Sequence, residues 1–98
     1  MLILRPVFYI MRLDLFLRAS RIIIRRTLAQ KFCEAGAIQV NGVEARSSKE
    51  VKVGDKIEIT KGGSVTTYQI EKLPEAKQIA KADAGSLYTI TSQVKESE

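Results

Sequence analysis

Residues 25–42, RRTLAQKFCEAGAIQVNG, contain the change of period that decides the fold. Over residues 25–35 the apolar side chains Leu28, Ala29, Phe32 and Cys33 recur at helical spacing and share one face. Arg26, Gln30 and Glu34 descend another face at i+4. Gly36 stands where a helix C-cap is expected. The pattern then switches to alternation over Ala37-Ile38-Gln39-Val40, and Asn41-Gly42 is the pair that a two-residue hairpin turn prefers. A helix that stops at a glycine and runs straight into a hairpin places both element types in one small unit.

Working outward, the N-terminal side supplies a second short helix. Residues 12–19, RLDLFLRA, bring Leu13, Phe16 and Leu17 onto one stripe, with Arg12 and Arg18 off it. Ser20 is placed to end that helix. The run Ile22-Ile23-Ile24 reads either as a buried connector or as part of a longer helix. On the C-terminal side, Val43-Glu44-Ala45-Arg46 is the return strand of the hairpin. Gly54-Asp55 marks a further turn, Lys56–Thr60 alternates, Gly62-Gly63 turns again, and Val65–Ile70 alternates once more. Pro74 closes this block. Residues 75–83 read as a short helix, Leu87-Tyr88-Thr89-Ile90 as an extended piece packing back, and the final KESE as a frayed end. The expected fold is α+β: two short N-terminal helices on an antiparallel sheet of about four or five strands. The expected division is 1–10 as an N-terminal extension, 11–73 as the domain and 74–98 as a C-terminal extension.

The residues MLILRPVFYI at the start are apolar but short, interrupted by Arg5 and Pro6, and followed by no small-residue cleavage site. They fit neither a signal peptide nor a membrane span. Met11 opens a segment that reads as a natural start. The chain of 98 residues, 45% hydrophobic and 28% charged, lies in the ordinary range of a single globular domain.

Charge is unevenly distributed. Residues 1–46 hold eight Lys and Arg against three acids, whereas residues 47–98 hold eight Lys against eight acids, so the net +5 sits in the first half. All seven arginines, Arg5, Arg12, Arg18, Arg21, Arg25, Arg26 and Arg46, lie there too. Arginine presents a planar fork that grips phosphate with paired hydrogen bonds and stacks on bases. The first half reads as a binding surface and the second as scaffold. The candidate surface is Arg12, Arg18, Arg21, Arg25, Arg26 and Lys31, on two helices and their junction. Polyanionic RNA is the expected partner, tracked through phosphates and 2′-hydroxyls. A plain solvated face and an anionic membrane are the alternatives. The membrane reading needs a free apolar face, and the apolar faces here are committed to a core.

One cysteine, Cys33, and no histidine leave no internal disulfide, no ordinary Cys/His metal site and no histidine acid–base chemistry. Cys33 lies on the apolar face and reads as a small buried hydrophobe. No cofactor and no catalytic group are expected. Asp14, Asp55 and Asp83 read as helix surface, turn and tail.

The run Arg12-Leu13-Asp14, the segment Arg25-Arg26-x-x-Ala29, and Gly36-Ala37-Ile38-Gln39-Val40-Asn41-Gly42 resemble the S-four, or alpha-L, RNA-binding domain. Gly54-Asp55 stands where that domain has a later Gly-Asp before a strand. The likeness runs from Arg12 to about Ile59, and the combined spacing is specific where each piece alone is weak. The stretch MRLDLFLRASRIIIRRTLAQ and the tail segment LYTI are further similar to the free-standing RqcP, or YabO-type, members of the family, which are related to a fifteen-kilodalton ribosome-associated heat-shock protein. That resemblance implies a cytoplasmic protein, monomeric off the ribosome. It implies binding to rRNA and tRNA on large subunits obstructed by peptidyl-tRNA. It also implies work beside an RqcH-type partner that adds alanine tails to stalled chains.

By position, Arg12 matches the opening arginine of the motif and Arg26 the helix-two arginine that the family uses on RNA. Both are taken as solvent-facing, so that charge reversal at either is expected to spare the fold. Arg25 departs from the general domain, where serine is common and caps the helix; the RqcP-type proteins tolerate a base there. Asn41 and Gly42 serve the turn, with a direct RNA role for Asn41 as the alternative. Two other functions remain in view. An RNA-modifying enzyme needs a further catalytic domain with an aspartate, and a protein adaptor would use the sheet edge.

Overall fold

The structure, a computed structural model, describes residues 10–74 and 84–95. The order is β1 (Met11–Arg12), α1 (Leu13–Ala19), α2 (Arg26–Glu34), β2 (Ile38–Val40), β3 (Val43–Glu44), β4 (Glu50–Val51), β5 (Lys56–Lys61), β6 (Ser64–Ile70), a 3-10 turn at Gly85–Leu87, and β7 (Tyr88–Lys95). The main sheet has the order β3-β2-β5-β6-β7, with every neighbouring pair antiparallel. The α+β expectation stands, with five strands in that sheet.

The helix ends explain the chain reversals. At the end of α2, Ala35 is the C-cap and Gly36 takes φ 75°; the Gly36 N–H donates to Cys33 O at 3.0 Å and the Ala37 N–H to Phe32 O at 2.9 Å. This pair of bonds satisfies the last carbonyls and turns the chain into β2. The following turn has Asn41 at φ 53° and Gly42 at φ 86°, as a two-residue hairpin requires. At α1 the corresponding left-handed position is occupied by Arg21, with φ 63°. A side chain there costs roughly 1–2 kcal/mol relative to the right-handed region. It is held by bonds from the Arg21 N–H to Arg18 O and from the Ile23 N–H to Leu17 O.

The Ile22–Ile24 run is a connector, and its three members differ. Ile23 is buried, Ile22 half-buried and Ile24 exposed. The core joins Leu13, Phe16 and Leu17 of α1 to Ala29 of α2 and to Ile38, Ile57 and Ile70 of the sheet. Leu28 departs from the sequence reading. It is 42% exposed, because it lines an open groove between α2 and strands β5 and β6.

Two short strands carry no readable period, and the sequence reading lacks them. β1 pairs with β4 through Met11↔Val51 and Arg12↔Glu50. The same contact satisfies the start of α1, where the Leu13 and Asp14 N–H groups donate to Lys49 O and Ser47 O. α1 therefore needs no capping side chain.

The expected frayed end begins too early. Lys95 still belongs to β7, which pairs with β6 from Ile70↔Tyr88 to Ser64↔Lys95 across a bulge at Thr67/Tyr68. Residues 88–95 are thus part of the sheet. The extension at residues 1–9, the helix expected at 75–83, Asp83, and residues 96–98 lie outside the described residues. Among the described residues no helix is long and apolar enough to cross a membrane.

Candidate nucleic-acid interface

Asp14 is not a surface residue. Its side chain is 0% exposed, and it accepts hydrogen bonds from two arginines. Arg12 donates from Nε at 3.3 Å and from Nη2 at 3.0 Å, and Arg26 donates from Nε at 3.2 Å. The expectation fails because the β1–β4 pairing and the 47–49 loop close over the first turn of α1. A buried carboxylate must be paired, and each arginine supplies a charged donor.

The two arginine side chains remain 42% and 47% exposed. Arg12 is the N-cap residue of α1 and Arg26 the first residue of α2, so the buried carboxylate gathers the starts of both helices at one point. Among the described residues the carboxylate uses a single nitrogen of Arg26. Arginine carries five donors, so most of its fork is left for another anion. The cluster carries two positive charges against one negative, a net positive patch with fixed geometry.

This arrangement also corrects the expected outcome of charge reversal. A glutamate at position 12 or 26 would stand beside the buried Asp14 carboxylate. Like charges at that separation disfavour folding, so the fold is not spared.

The other candidate residues are distributed around this pair. Arg25 precedes Arg26 as the N-cap residue of α2, with extended backbone and no capping side-chain bond. Arg25 thus sets a second exposed arginine at the start of α2. Arg21 and Arg25 line a groove together with Lys61. Arg18 is exposed in the last turn of α1. Lys31 is exposed on α2, five residues beyond Arg26 and hence about 140° around the helix axis. The structure therefore brings Arg12 and Arg26 together, sets Arg21 and Arg25 at the groove, and leaves Arg18 and Lys31 as separate exposed cations. Lys61 is the residue the sequence reading missed. It lies in the half read as scaffold, and only the lining of the groove shows that it meets Arg21 and Arg25.

Asn41 and Asp55 form a second polar unit with a structural task. Asn41 Nδ2 donates to Asp55 Oδ1 at 3.1 Å, and Asn41 Oδ1 accepts from the Lys56 N–H at 3.0 Å. Asp55 also accepts from the Lys52 backbone N–H and from Lys52 Nζ, each at 3.0 Å. Burial pushes the Asp55 carboxyl upward, but the hydrogen bonds from Lys52 and Asn41 outweigh it and hold the group below its ordinary value. These bonds tie the β2–β3 turn to the turn before β5. Cys33 is partly buried; desolvation, and then the charges of Asp14 and Glu34, raise its thiol above the ordinary value. Such a thiol is a poor nucleophile at neutral pH.

With this geometry established, comparison with known proteins gives a consistent result. The S4 domain family model matches residues 11–57. An RQC P-site tRNA stabilizing factor of Bacillus subtilis is 40% identical over 85 residues, covering 87% of this chain and 96% of the relative. One from Helicobacter pylori is 38% identical over 73 residues, covering 74% and 87%. Among solved structures, the trimeric heat shock protein 15 of Vibrio cholerae superposes with a TM-score of 0.75 at 33% identity, covering 86% of this chain and 84% of that one. Arg12, Asp14 and Arg26 all fall inside the matched S4 segment. The chain belongs to the S4-domain family, and within it to the group of the RQC P-site tRNA stabilizing factors.

Proposed function

We propose that this chain is a non-catalytic RNA-binding factor of the large ribosomal subunit. In this reading it acts in the cytoplasm on subunits obstructed by peptidyl-tRNA, contacts both rRNA and tRNA, and supports alanine tailing by an RqcH-type partner. The observation that carries the RNA part is the Asp14-held pair Arg12 and Arg26, two half-exposed side chains whose guanidinium groups are oriented by the carboxylate before any ligand arrives. Fixing long side chains in advance lowers the entropy lost on binding, and the arginine fork matches phosphate geometry. Arg25 and Arg21 continue the positive surface from Arg26, and Arg18 and Lys31 are further exposed cations of the two helices. The quality-control part rests on the names of the relatives that match nearly end to end.

The test is affinity purification of the tagged full chain from cells, read for large subunits, trapped tRNA and the tailing partner. All three together support the whole reading. Large subunits without tRNA or partner would leave a general ribosome-binding role, of the kind that likeness to a heat shock protein invites. Absence of ribosomal RNA would overturn the reading at its base.

A further inference from the structure

A groove of about 430 Å³ lies between the α1–α2 connector, α2 and the sheet, and one of its lining residues, Arg25, adjoins Arg26 of the Asp14 cluster in sequence. Its floor is the helix-facing side of β5 and β6. The strand register sets residues in rows across that side: Ile57 opposite Tyr68, Ile59 opposite Thr66, and Lys61 opposite Ser64. Directly opposed residues in an antiparallel pair share a face, and alternate residues repeat it. The rows therefore pass from apolar, through mixed, to cationic as the strands run out from under the helices. The wall is formed by Ile24 and Leu28, large apolar side chains that are 59% and 42% exposed.

The charge of the groove is one-sided. Arg21, Arg25 and Lys61 line it, and among the described residues no carboxylate does. Tyr68 also lines it, and the ring of Tyr88 meets Tyr68 edge-on with centroids 5.3 Å apart and planes at 80°. An apolar and aromatic slot with three cations and two hydroxyl side chains, Ser64 and Thr66, suits a flat apolar body tethered to an anion. Nucleotides have that form, and unstacked bases bind to such surfaces by stacking while their phosphates are held by cations. Arg25 belongs to the groove and Arg26 to the Asp14 cluster, so one strand crossing consecutive residues would meet both.

We propose that this groove takes one unpaired nucleotide of the bound RNA, its base against Ile24, Leu28 and Tyr68 and its phosphate among Arg21, Arg25 and Lys61. The assignment rests on RNA being the ligand of the chain and adds a base-holding site to the phosphate-holding pair. An acidic, apolar protein segment is the competing occupant.

The experiment is ultraviolet cross-linking of the full chain to purified large subunits, with the cross-linked residues mapped by mass spectrometry. The same preparation is tested with two variants, Leu28→Glu and the pair Arg21→Gln with Lys61→Gln. The substituted side chains all lie at the surface, and thermal unfolding of each variant verifies that the fold is kept. Cross-links within residues 21–25, at Leu28 or within residues 64–68, lost or reduced several-fold in both variants, are expected. Cross-links confined to the Arg12 and Arg26 segments, with both variants associating normally, would overturn the groove assignment and leave the RNA reading standing. A groove that binds a protein segment and gives no RNA cross-link overturns it equally. If wild type neither sediments with subunits nor cross-links anywhere, the RNA reading itself fails and takes the groove with it.

Discussion

Nε of Arg26 reaches the buried carboxylate of Asp14 at 3.2 Å across twelve residues of chain. The contact serves two purposes. It neutralises a charge that the closing of β1 on β4 has removed from water, and it aims the guanidinium group on an exposed surface. Stability and binding geometry therefore meet in one ion pair.

Substitution of Asp14 separates orientation from bulk charge. Asp14→Asn raises the net positive charge, so a purely electrostatic surface would bind RNA more tightly. The fixed-pair account predicts weaker binding, because asparagine replaces one of the two acceptor oxygens with a donor NH2 and removes the charge that orders both arginines. It also predicts a stability loss of about 1–3 kcal/mol, the usual cost of weakening a buried charged hydrogen-bond set. Filter binding to ribosomal RNA and urea unfolding measure the two effects. Tighter binding at unchanged stability would refute the orienting role.

Gly36 limits the helix–hairpin junction through its backbone. Its φ is +75°, and a Cβ there would meet Glu44 Oε2 at 2.8 Å. Glu44 is exposed and its carboxylate can swing aside, so the left-handed backbone is the larger obstacle. Gly36→Ala is expected to cost about 1–2 kcal/mol in chemical denaturation. Adding Glu44→Ala should recover little of it. Full recovery would mean that the steric contact, and not φ, sets the requirement.

The Asp55 turn gives the fold a defined acid limb. Its folded carboxyl value is depressed, so the stabilisation is complete above the unfolded value of about 3.9 and fades as pH falls through the lower folded value. Unfolding free energy followed against pH should therefore show a contribution from this site that drops only below about pH 4. Asp55→Asn should remove that part of the slope, and a slope unchanged by Asp55→Asn would contradict the assignment.

The fold was largely legible because its signals are local. The change from helical to alternating period at Gly36, and the Asn41-Gly42 turn, name their own geometry. β1 and β4 were not legible, since two residues are too few to show a period and their pairing joins segments far apart in sequence. Burial of Asp14 depends on that same pairing, so an aspartate in a helical pattern was read as exposed. Arg21 at positive φ was hidden because a glycine is the usual signal for that conformation. Leu28 satisfied the helical stripe but stays partly exposed on the wall of a groove, which depends on where the helix lies against the sheet and not on its sequence. Arg12 and Arg26 were found from charge segregation and motif spacing; that they share one carboxylate is a tertiary fact.

Salt dependence of association with large subunits tests the phosphate-gripping role of Arg12 and Arg26 most directly. Wild type is compared with Arg12→Gln, Arg26→Gln and the double variant, which remove the charge but keep an amide donor for Asp14, each verified as folded by circular dichroism. Each arginine that holds a phosphate should lower the magnitude of the log–log slope by about 0.7–0.9 when removed, and the double variant should lose both increments. Folded variants whose slope and affinity equal those of wild type would contradict the account.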